Sequence, residues 1–161
     1  AIGYAHYKRS QAFRAEVAEL NRQVSGTEKV MKETKEKIDL LEKALLGYPN
    51  TDLSLMETIK SVKVTYKDLE VMMWGDNARS SRDFETVPSI SGRLGMVGYQ
   101  LYQNTTGVTN THRANKNIAE KQYKELKTKL NQIISYIEAV EKKLDGIIPY
   151  TKAKGDDWKE D

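Results

Sequence analysis

The side chains best suited to chemistry lie close together in the chain: Trp74, Asp76, Arg79, Arg82 and Arg93, in a stretch that also carries Asp83, Glu85 and Pro88. Guanidinium groups can fork onto a carboxylate, sulfate, phosphate or acidic sugar, and an indole beside them can stack on a ring. That is the chemistry of anion or acidic-glycan recognition. The same arginines have Asp76, Asp83 and Glu85 for neighbours, and a long connection in a compact domain needs internal ties of this kind. The expectation is that the arginines pin the connection to the rest of the fold. Ligand binding by Trp74, Asp76, Arg79, Arg82 and Arg93 is the alternative.

Other chemistry finds little support in the sequence. His6 and His112 are far apart and neither has a second ligand at helical spacing, so they read as exposed or capping histidines and no metal site is expected. There are no cysteines, which removes thiol nucleophiles and disulfides. Acid pairs such as Glu28 with Glu33, and Glu138 with Glu141, read as solvent positions of amphipathic helices and not as a general acid and base. No glycine-rich phosphate loop follows a strand. The chain is expected to be non-catalytic and to carry no cofactor.

The elements that must position these residues are helices. Phe13, Val17, Leu20, Val24, Thr27, Met31, Thr34, Ile38, Leu41, Leu45 and Tyr48 follow alternating steps of four and three, a heptad seam. Gly26 is a point where it can bend, and Gly47 to Asn50 supplies a stop. Thr51, Asp52 and Ser54 offer caps for a second helix, Ser54 with Glu57 fitting a capping box, and Leu55, Ile59, Val62, Tyr66, Leu69 and Met73 form its seam. That helix is predicted to end near Trp74 and Gly75.

A third, shorter helix is predicted to place Pro88 in its first turn and to bury Ile90, Leu94, Val97 and Leu101. Gly92, Gly95 and Gly98 mark its other face, where they would let a neighbouring helix or backbone approach closely. After a loop at 104–107, a fourth, long seam runs through Ala119, Tyr123, Leu126, Leu130, Ile133, Ile137, Val140, Leu144 and Ile147. The fold class expected is all-α: an antiparallel bundle of four helices, two long and two short, with an ordered Arg/Ser-rich loop between the second and third. In an up-down-up-down order the short helices share the span of the long ones; in the alternative they stack end to end. The bundle domain is placed at 1–150 and a polar tail at 151–161, with Trp158 the one tail residue able to dock.

Composition narrows the partners. Charged residues make up 30% of the chain, yet the net charge is only +3, and the lysines are dispersed among glutamates, so nucleic acid is not an expected partner. No stretch approaches the roughly 20 apolar residues of a membrane span. The amino terminus lacks the layout of a signal peptide and does not begin with Met, which reads as a mature or excised piece of something larger.

Gly75 and Asp76, then Ser80, Ser81 and Arg82, then Pro88 to Gly95 and Tyr99 closely resemble the carboxy-terminal helical region of sortilin-like, BNR-repeat glycosyl-hydrolase-type proteins, chiefly secreted proteins of Bacteroidetes and related bacteria. The resemblance is specific between about Trp74 and Tyr99. The Thr109-Asn110-Thr111 helix start and the Lys/Glu-rich helix after it also fit. It implies a secreted or periplasmic protein in which an N-terminal β-propeller of the same polypeptide, absent here, is the partner and holds any carbohydrate site. The Gly155-Asp156-Asp157-Trp158 ending departs from the proline-rich family pattern. The expected function is a structural or interaction module appended to that propeller; a free-standing coiled-coil oligomerisation domain would explain the heptads but leave the arginines unused.

Overall fold

A computed structural model describes residues 2–48, 52–76, 88–103 and 108–145 of the chain. The expected ordered loop, with Arg79, Arg82, Asp83 and Glu85, lies outside the described residues, as do Ile147 and the tail with Trp158. The described residues form an all-helical bundle of four helices: α1 (Ile2–Leu46), α2 (Leu53–Trp74), α3 (Ile90–Gln103) and α4 (Asn110–Leu144). No strand occurs among the described residues.

The heptad reasoning carries through to burial. Every described seam residue is buried except Tyr48, which is 43% exposed beyond the end of α1. Thr27 and Thr34 hold seam positions despite their hydroxyls; Thr34 resolves the conflict by donating to the Val30 carbonyl one turn back at 2.7 Å. Helix α1 passes through Gly26 without interruption.

The chain divides into two compact units: residues 1–26 with 70–126, and residues 27–69 with 127–161. The first is built from the opening half of α1, the last turn of α2, α3 and the opening half of α4. Its long helices run in the same direction: Arg113 lies over the Phe13 ring at 5.5 Å, Lys116 meets Glu16 at 3.4 Å, and Tyr123 donates to the Gln23 carbonyl at 3.2 Å. The constant offset of about one hundred residues defines parallel helices, so the up-down-up-down order does not hold. The short helix α3 runs against α4, with Arg93 donating to Asn115 and Gln122 to the Pro88 carbonyl.

In the second unit α1 and α2 are antiparallel. Tyr66 donates to the Met31 carbonyl at 2.8 Å, and farther along Lys63 pairs with Glu42 at 2.9 Å. Each unit thus packs three principal helical segments, with α2 in one and α3 in the other.

Several helix ends differ from the sequence expectation. Helix α2 is capped by Asp52, one of the three caps the sequence offers, whose carboxylate accepts from the Ser54 amide at 3.0 Å; Ser54 is thus already helical and its capping box with Glu57 does not form. Helix α3 is capped by Ser89, whose hydroxyl accepts from the Gly92 amide at 3.0 Å, leaving Pro88 just outside the first turn. Two side chains are buried that the sequence placed otherwise, His112 being expected as exposed or capping and Glu141 at a solvent position. His112 is 4% exposed and Glu141 5% exposed, because each sits beside a seam and faces the core with it.

Candidate functional site

The candidate site is the region of the first unit where α2 ends and α3 begins. Gly75 closes α2 in the left-handed conformation, with φ of 90° and its amide bonded to the Val71 carbonyl at 2.8 Å. A Cβ there would lie 3.7 Å from that of Ser89, so the end of α2 meets the start of α3.

This junction positions three of the five side chains picked out from the sequence. Trp74, on the last residue of α2, is 37% exposed. Asp76 follows Gly75, is half-buried and has an interaction of its own. Arg93 lies in the first turn of α3 and reaches across to α4, donating from Nη1 to the Asn115 amide oxygen at 3.3 Å. Its Nε is buried without an acceptor. The expectation that Arg93 is held structurally finds a partner here, an amide on another helix, 22 residues on. Arg79 and Arg82 lie outside the described residues.

Polar contacts that sequence reasoning missed tie α3 to the long helices. Arg14 donates from Nη2 to the Leu101 carbonyl at 3.0 Å. Leu101 belongs to the last four residues of α3, whose carbonyls have no partner within the helix, and a cation at that end also complements the helix dipole. At the start of α4, the Thr109 hydroxyl accepts from the His112 amide at 3.3 Å while His112 Nδ1 accepts from the Thr109 amide at 3.1 Å. This is a capping box with imidazole in place of the usual carboxylate. The capping half of the expectation for His112 therefore holds, and the exposed half does not.

A groove of about 500 Å³ beside α1 and α4 in this unit is crossed by a small ion cluster. Lys116, its side chain 14% exposed, pairs with Glu120 at 2.9 Å and with Glu16 at 3.4 Å. The hydrogen bond to Lys116 lowers the Glu120 pKa below its ordinary value, and the same bond to Glu120 raises that of Lys116. Both groups are held in their charged forms, a property of a clamp and not of a proton-transfer pair.

The second unit has a groove of about 620 Å³ lined by Ser54, Thr58, Ser61, Thr65 and Tyr136 among others. Thr58 and Thr65 donate their hydroxyl protons to the Ser54 and Ser61 carbonyls, so these threonines face the groove as acceptors. Among the described residues no group of three or more His, Asp or Glu is arranged to hold a metal ion, and no helix is long and apolar enough to cross a membrane.

Comparison with protein-family models, with curated proteins and with solved structures finds no match to this chain.

Proposed function

We propose that this chain is a non-catalytic structural and interaction module, appended to an N-terminal β-propeller in a secreted or periplasmic glycosyl-hydrolase-like protein. The observation that carries the structural half is the use made of long-range polar side chains. Arg14, Tyr66 and Tyr123 each end on a backbone carbonyl of another helix: Leu101, Met31 and Gln23. Such bonds fix helix register, a structural use of polar side chains. The appended half rests on the resemblance of the Trp74 to Tyr99 stretch alone.

Screening the chain against chromogenic glycosides tests the non-catalytic reading. No turnover is expected, and reproducible turnover abolished by changing a single carboxylate would overturn it. The coiled-coil reading is the weaker one, because α3 and the Trp74–Arg93 region are not explained by a coil.

One observation favours a second reading, an anion or acidic-glycan site formed by Trp74, Asp76, Arg79, Arg82 and Arg93: the buried Arg93 Nε lacks an acceptor. Titration with acidic oligosaccharides separates the two. Binding lost in Arg93→Ala with stability unchanged supports the ligand site, whereas a loss of stability without any binding in the wild type supports the structural role.

A further inference from the structure

We propose that the outer face of α3 is a self-association surface, closed by the same face of a second copy of this chain. The solvent side of α3 holds Gly92, Gly95, Met96, Gly98, Tyr99 and Tyr102, all exposed and none charged. At 100° per residue Gly92, Gly95, Met96, Tyr99 and Tyr102 lie away from the buried stripe of Ile90, Leu94, Val97 and Leu101, and Gly98 flanks that stripe. In a chain with 30% charged residues, α3 therefore has two faces free of charge, and among the described residues only one of them is covered.

The glycines sharpen the inference. Gly92 has a use inside the chain, because a Cβ there would meet the Ser89 hydroxyl of the cap at 3.0 Å. Gly95 and Gly98 have none: a Cβ on either meets nothing within 4 Å. The close approach expected from their spacing is not made by any of the described helices. Each costs a helix interior about 1 kcal/mol relative to alanine, so their presence calls for an approach from outside.

Shape and charge point to a second copy as the occupant. Met96, Tyr99 and Tyr102 are 49%, 64% and 85% exposed and stand beside the glycines, so the face carries knobs and holes together. A two-fold axis places the tyrosines of one copy over the glycines of the other, and the pairing is satisfied twice. The face has no charged group to desolvate when it pairs with itself. With an aromatic side chain contributing about 150–250 Å² when fully buried, each copy offers on the order of 500 Å², or about 1,000 Å² for the pair. That lies at the lower edge of specific interfaces, which predicts a reversible dimer in the micromolar range and not an obligate one.

Sedimentation velocity of the full chain, from about 5 to 500 μM, tests the proposal. The wild type is expected to move from monomer toward dimer across this range. Tyr99→Lys and Tyr102→Lys, both at exposed positions, should remain monomeric with unchanged helicity. The double variant Gly95→Ala and Gly98→Ala should melt at a higher temperature when dilute and associate at least tenfold more weakly, two effects of opposite sign that a merely tolerated glycine pair would not produce. A monomeric wild type at the highest concentration would overturn the proposal, as would association that survives both lysine variants.

Discussion

Helices α3 and α4 bury the same kind of stripe and turn opposite kinds of surface outward. Along α4 the exposed positions include Arg113, Lys121, Lys124 and Glu125, while along α3 they are glycines, a methionine and tyrosines. The inner faces say that both helices belong to a packed bundle. The outer face of α4, largely polar apart from Ile118 and Tyr136, suits water, and that of α3 suits the second copy proposed for it. Hydrophobic periodicity reports only the first of these facts; the second depends on what occupies the positions between the seam residues.

The largest effect should come from the shared feature. Leu126→Ala on α4 removes a fully buried side chain and should cost about 2–5 kcal/mol in urea denaturation. Tyr99→Ala on the outer face of α3 should leave the unfolding midpoint of the dilute chain nearly unchanged. An equal loss for both would erase the contrast between the two faces.

Next in size is the tie that holds α3 in place. Arg14→Met keeps much of the aliphatic stem but leaves the Leu101 carbonyl without its charged donor, with an expected loss of about 1.5–3 kcal/mol. The second unit offers the opposite sign. Glu141 buries a carboxylate oxygen with no partner, so Glu141→Leu should raise stability by about 1–3 kcal/mol. Thermal melts of both variants measure these changes.

The smallest effect is pH dependence. Because its folded pKa is depressed, Glu120 contributes stability that is present above its ordinary value of 4.5 and is lost as pH falls through the folded value. The raised pKa of Lys116 contributes stability that is complete below 10.5 and is lost as pH rises through the folded value. The clamp should therefore weaken at both extremes, by less than about 1 kcal/mol because Glu120 is partly open to solvent. In Glu120→Gln, the difference in melting temperature from wild type should be largest near neutral pH and shrink as pH falls below 4.5 through the depressed folded value.

How much of this could be read from residues alone varies by position. The seams were legible because a step of four and three leaves few other ways to bury Met31, Ile59 or Leu130. Caps were misplaced by one or two residues because Asp52 and Ser54 carry similar chemistry, and only backbone geometry decides between them. Burial of Glu141 had a signal that went unused: it lies four residues after Ile137 and three before Leu144, beside the seam. His112 likewise sits seven before Ala119. The partner of Arg93 had no such signal, since Asn115 is brought close by the packing of α3 on α4 and by nothing local. The parallel course of α1 and α4 was equally hidden, because a heptad does not encode direction.

The central claim is that these four helices satisfy one another well enough to stand as a module. Circular dichroism and calorimetry on the isolated chain, diluted below the range of self-association, test it most directly. The account predicts a strongly helical spectrum with a cooperative thermal transition. A spectrum dominated by coil, or helix that melts gradually without a heat-absorption peak, would contradict it, because the apolar seams would then need a surface from outside the chain to fold.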